Sequence, residues 1–204
     1  MEIEKVLDKY KNNYVKILKK YYPAQDSTGF TERNQSVNFV EAYKELFPSS
    51  YAWYEAPLDD KTKHLDAVIF DDENERIIMI EAKRMSQPSA KTKECYNDIE
   101  RLKNYKNYEK LIEKKEYKEY KAIYGLVLVD LWCEGTRKPK IFEMWEQGKY
   151  FEGSEYDGYE DFSDNPPQNG SYYYREFTDC ETKESTKTNY KLLAYCFEIT
   201  KPQI

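Results

Sequence analysis

The chain has 204 residues, with 32 Lys and Arg against 38 Asp and Glu, a net charge of −6, and 40% hydrophobic residues. That length and apolar content suit one compact domain, 1–204, and with no apolar run of about 18 residues and a start charged at once (Met1-Glu2-Ile3-Glu4-Lys5), a soluble, cytoplasmic protein with no membrane association is expected. Four cysteines without a CxxC pair, a single histidine, and the lack of a Gly-rich phosphate loop or GxSxG element argue against zinc, disulfide, paired-histidine ribonuclease, kinase, NTPase and hydrolase-elbow chemistry.

Val6, Tyr10, Tyr14, Ile17, Leu18 and Tyr21 recur at spacing three and four, so residues 1–22 read as a helix that caps the core. A second helix begins near a Thr31 cap, runs through Val37, Phe39, Val40, Ala42, Tyr43, Leu46 and Phe47, and stops before Pro48. Tyr51 to Leu58 reads as a strand, in which Glu55 suits a solvated or paired position. Leu65-Asp66-Ala67-Val68-Ile69-Phe70 and Ile77-Ile78-Met79-Ile80-Glu81-Ala82-Lys83 read as a hairpin closed by the acidic loop 71–75. Strand alternation puts Glu81 and Lys83 on one face, and antiparallel pairing brings Asp66 close to Glu81. Two carboxylates and the Ala82 carbonyl are hard oxygen donors of the kind that Mg²⁺ accepts, with Mn²⁺ as a substitute. Lys83 beside them can orient or help deprotonate a water and offset charge on a phosphate, which points to metal-dependent phosphodiester hydrolysis. His64 shares the face of Asp66 and flanks the site or simply meets solvent at the strand start.

Ser89 to Tyr120 reads as one long helical region, with Cys95, Ile99, Leu102, Leu111 and Ile112 as a broken apolar stripe. Ala122 to Trp132 is apolar enough for a buried central strand, so the helix would be a crossover between two buried strands. Gly148 to Gly170 reads as a long loop whose aromatics, Tyr150, Phe151, Tyr156, Tyr159 and Phe162, pack onto the core in preference to stacking on bases. Tyr172–Phe177 and Lys191–Thr200 are two further strands that extend the sheet. The fold class expected is therefore α/β, a mixed central sheet flanked by helices, with a core at 31–132 (helix, three-strand meander, helix, strand) and, over 143–204, an acidic, aromatic-rich loop with terminal strands. Charge is unevenly spread: residues 1–22 and 100–121 each carry +3, while 143–184 carries −9. A negative chain is an unusual phosphate binder, yet here the acid is confined mostly to one segment.

Asp66 and the Glu81-Ala82-Lys83 element, set in that order of elements, resemble the PD-(D/E)XK nuclease superfamily with its restriction-endonuclease-like fold. The resemblance implies a Mg²⁺-dependent DNA endonuclease in which Asp66, Glu81 and the Ala82 carbonyl hold the metal and Lys83 positions the attacking water. It also assigns Glu32, at the start of the second helix, to a second metal or bridging water; the helix dipole alone would equally favour an acid there, by about 0.3–1 kcal/mol. The family's Pro before the first acid is Leu65 here, and Gln87 and Tyr96 lack the four-residue spacing of one exonuclease branch. The expected partner is nucleic acid, DNA before RNA, with a homodimer or a protein partner open. The alternative is a noncatalytic, nuclease-like module whose acidic 143–184 segment contacts a basic protein.

Overall fold

The structure, a computed structural model, describes residues 2–18, 32–60, 62–85, 88–112, 120–134, 140–151, 170–181 and 187–199. Tyr21, Gln87, the lysine-rich stretch 113–119 and the aromatics Tyr156, Tyr159 and Phe162 lie outside them.

Six strands form one mixed sheet in the order β1-β2-β3-β4-β6-β5. In chain order the elements are α1 (Ile3–Leu18), α2 (Glu32–Leu46), β1 (Tyr51–Pro57), β2 (His64–Asp71), β3 (Arg76–Arg84), α3 (Pro88–Lys103), a 3₁₀ turn (Tyr105–Asn107) and α4 (Glu109–Ile112). These are followed by β4 (Ala122–Glu134), α5 (Lys140–Glu146), β5 (Gly170–Glu181) and β6 (Lys187–Glu198). β1, β2 and β3 are an antiparallel meander; β4 then runs parallel to β3, with α3 between them in the chain. β6 and β5 add antiparallel strands beyond β4.

Strand alternation divides the core into two layers. Ile78, Ile80 and Ala82 of β3 with Leu126 and Leu128 of β4 meet α1 and α2 through Val6, Leu7, Tyr10, Tyr14, Phe39, Val40 and Tyr43. Ile77 and Met79 of β3 with Val127 and Val129 of β4 face the other way, against Cys95, Ile99 and Leu102 of α3 and Ile141, Phe142 and Trp145 of α5. Each such side chain is fully or nearly fully buried, worth about 1.5–3 kcal/mol for a large aliphatic or aromatic group. Both central strands are apolar on both faces because both faces are covered.

Two expectations are corrected. The helix expected over 89–120 ends at Lys103, because side chains beyond it take its last carbonyls. Asn107 Nδ2 donates to Arg101 O at 2.8 Å, and the buried Tyr108 hydroxyl donates to Leu102 O. α5 is an addition: its seven residues are too few to stand alone in water, but Trp145 is buried and its Nε1 donates to Tyr173 O at 2.9 Å. Of the described aromatics of the acidic segment, Trp145, Tyr150, Phe151 and Phe177 are buried and Tyr174 is exposed; Phe151 and Tyr172 each lie against Tyr195 with ring centres 5.3 and 4.8 Å apart.

Candidate active site

The β2–β3 hairpin has two unlike ends. At the loop end Asp71 faces Arg76, the last pair of the ladder. At the other end the ladder stops at Ala67↔Ile80, and Asp66 is not part of the register. On the opposite side, β1 pairs with β2 at Tyr54↔Ala67 and Ala56↔Leu65 but skips Glu55 and Asp66. Glu55 adopts φ +53°, a left-handed conformation that a non-glycine residue visits at a cost of about 1–2 kcal/mol. Tyr54 and Ala67 pack on the α1–α2 side while Ala56 and Leu65 pack on the α3 side, so the alternation of both strands shifts by one position across Glu55 and Asp66. Backbone strain of this kind tends to cluster at functional sites.

The break makes room for the Asp66 carboxylate. Its Oδ2 accepts the Ala82 N–H at 2.6 Å, a side chain standing where a strand carbonyl would otherwise serve. The first turn of α2 secures the next residues of β3: Glu32 Oε1 accepts from Arg84 N at 3.2 Å, and Gln35 Nε2 donates to Lys83 O at 3.2 Å. Gln35 is fully buried and its Oε1 has no hydrogen-bond partner among the described residues. Asp66, Glu81, Ala82, Lys83 and Glu32 are therefore gathered around the last residues of β3, whereas His64 is exposed at the start of β2.

Two further residues enter from α3. Asp98 Oδ2 lies 3.1 Å from Lys83 Nζ, and Arg101 Nη2 lies 2.6 Å from Glu81 Oε1 and 2.7 Å from Asp98 Oδ1. Three residues apart on a helix, Asp98 and Arg101 share a face. In the sequence, Arg101 is one of the basic residues that make 100–121 net positive, and Asp98 belongs to no motif. The available signal was that Asp98 falls inside the Cys95, Ile99, Leu102 stripe, where a charged residue is out of place unless it meets another charge.

Glu81 is 3% exposed and Asp98 4%. Burial, reinforced by the charges of Asp98 and Asp66, pushes the Glu81 carboxyl up to about 8 despite Arg101. Burial also raises Asp66, with the Ala82 N–H and Lys83 opposing it and the charges of Glu32 and Glu55 adding to it. Lys83 goes the other way: burial alone would lower it, but the nearby carboxylates, Asp98 first, push it up to about 12. Three acids, Asp66, Glu81 and Asp98, thus crowd against two cations, Lys83 and Arg101.

Among the described residues no three Asp, Glu, His or Cys side chains form a ready-made metal cage. Asp66, part-buried, and Glu81, buried, are instead a two-carboxylate set, mutually repelling and made of hard oxygen donors, which fits an ion that keeps several waters and takes one or two carboxylates from the protein. Zinc or a soft metal fits poorly, since no histidine or thiol is among these donors. Comparison of the chain with protein-family models, with curated proteins and with solved structures finds no match.

Proposed function

We propose that the protein is a metal-dependent nuclease of PD-(D/E)XK type, a DNA endonuclease that hydrolyses a phosphodiester with Mg²⁺. The observation that carries this reading is the convergence of Asp66, Glu81 and Lys83 at the broken end of the β2–β3 ladder, with the Ala82 N–H turned to Asp66. Helix α2, the β1–β2–β3 meander, α3 and the parallel β4 follow the order of a restriction-endonuclease-like core, which supports the same reading.

Asp66 and Glu81 would hold the metal with the Ala82 carbonyl, and Glu32, one turn of helix away from Gln35, would bind a second ion or a bridging water. The bound ion supplies Lewis-acid stabilisation of charge developing on the phosphoryl oxygens. Lys83 acts as a fixed cation and hydrogen-bond donor. Asp98 favours its charged ammonium in the metal-free protein, and in this reading Lys83 orients the attacking water and meets the phosphate. Asp98 is accordingly a positioning residue for Lys83. Lys91, Arg101, Lys103, Lys106 and Lys110 on and just beyond α3 would draw the polyanion toward this side despite the chain's net charge.

One observation favours the noncatalytic alternative: Lys83 and Glu81 already have partners in Asp98 and Arg101, as in a purely structural ion-pair cluster. Supercoiled and linear duplex DNA, single-stranded DNA and structured RNA, incubated with Mg²⁺ or Mn²⁺, separate the readings. Cutting by wild type that is lost in both Asp66→Asn and Lys83→Ala supports the nuclease. Tight binding of a basic protein partner with no cutting of any substrate would support the alternative.

A further inference from the structure

Arg101 places one nitrogen, Nη2, within 2.6 Å of Glu81 Oε1 and 2.7 Å of Asp98 Oδ1. Its Nε is buried without a hydrogen-bond partner among the described residues. Arginine–carboxylate pairs are frequently bidentate, with two parallel bonds of matched geometry. Here a single corner is shared by two acids and another donor is left unmet. The side chain is also the most open of the cluster, at 27% against 3% for Glu81, so it has a route toward solvent that its partners lack.

Resting on the nuclease reading of the site, we infer that Arg101 is an exchangeable counter-cation: it occupies Glu81 in the metal-free protein, gives up that carboxylate when a divalent ion binds, and pivots on Asp98 toward the phosphate of the nucleic acid. The chemistry follows from charge. A dication at Glu81 repels a guanidinium held within a few ångströms on the same carboxylate, most strongly where the site is buried. Asp98 retains one arm of the guanidinium through the exchange, so the displaced group stays near the site. Its remaining donors then face outward, where a phosphate diester offers the planar pair of acceptors that arginine matches. Loading with metal and recruitment of substrate charge become one movement of one side chain.

Two readouts that do not depend on cleavage test this. In calorimetric titrations with Mn²⁺, Arg101→Gln should bind about tenfold tighter than wild type or better, since the ion no longer competes with a cation for Glu81, and Arg101→Lys should stay near wild type. In the intact wild-type protein, the Arg101 side-chain ¹⁵N signal should move away from its metal-free position as Mg²⁺ saturates the site. Equal or weaker Mn²⁺ binding by a folded Arg101→Gln protein, or an Arg101 signal unchanged at Mg²⁺ saturation, would overturn the exchange while leaving the metal site standing. If wild type and Arg101→Gln both bind no divalent ion, the metal reading of the site fails and the exchange fails with it.

Discussion

The two ends of the β2–β3 hairpin bury acids in opposite ways. At the loop end, Asp71 is fully buried and surrounded by donors: the Tyr43 hydroxyl at 2.5 Å, Asn74 N at 3.1 Å, Asn74 Nδ2 at 3.0 Å and Arg76 Nε at 3.0 Å. Burial works against its charge, yet these bonds and the Arg76 guanidinium hold its carboxyl below the ordinary value. At the open end, Asp66 and Glu81 have fewer donors and more acidic neighbours, and both are raised. The first arrangement satisfies the Asp71 carboxylate and locks a turn. The second is short of positive charge, which is the condition in which a carboxylate cluster gains from a cation.

Replacing the acids at the two ends should therefore have opposite consequences. Asp71→Ala leaves Arg76 and Tyr43 without their shared acceptor and should cost about 3–5 kcal/mol of stability, read by denaturant unfolding, with metal binding per folded molecule unchanged. The same pair carries a pH signature. Because the folded state depresses Asp71 below its ordinary 3.8, its contribution is fully present above that value and is lost as the pH falls through the lower folded value. The stability gap between wild type and Asp71→Asn should be large at pH 7 and close below about pH 4. A gap that persists into strong acid would show that Asp71 acts through packing alone.

At the open end, Lys83→Ala should slow cleavage by about 10²–10³-fold while nucleic-acid affinity, measured by fluorescence anisotropy, changes little. Equal rates for wild type and variant would remove Lys83 from the chemistry. Asp66→Asn is the contrasting stability test: without metal it should be as stable as wild type or more so, by about 0.5–2 kcal/mol, since it removes a carboxylate that burial disfavours and keeps an acceptor for the Ala82 N–H. A clear loss of stability would make Asp66 a structural acid like Asp71. The smallest effect is expected away from both ends. Tyr108→Phe should cost about 1 kcal/mol, because the hydroxyl closes the end of α3 by bonding Leu102 O.

What the sequence made legible was local. The alternation in 65–70 and 77–83 gave the hairpin, the face shared by Glu81 and Lys83, and the approach of Asp66, and the apolar run at 122–132 gave the buried strand beside them. What escaped depended on distant partners. Asp98 and Arg101 acquire their meaning only when α3 lies over β3, and α5 is held by Trp145 reaching Tyr173, 28 residues on. The left-handed Glu55 left no trace in composition, although it marks the place where both strands change phase around Asp66. The loop end was equally silent: Asp71 reads as part of the acidic loop 71–75, and it becomes an anchor when Tyr43 of α2, fully buried, and Arg76 meet it.

The claim that the open end is a divalent-cation site is tested most directly by anomalous diffraction from crystals soaked in Mn²⁺. A divalent ion at this end gives a peak about 2.0–2.2 Å from the carboxylates of Asp66 and Glu81 and from the Ala82 carbonyl, absent in Asp66→Asn crystals. No peak there at saturating Mn²⁺, or a peak that survives in Asp66→Asn, would contradict it.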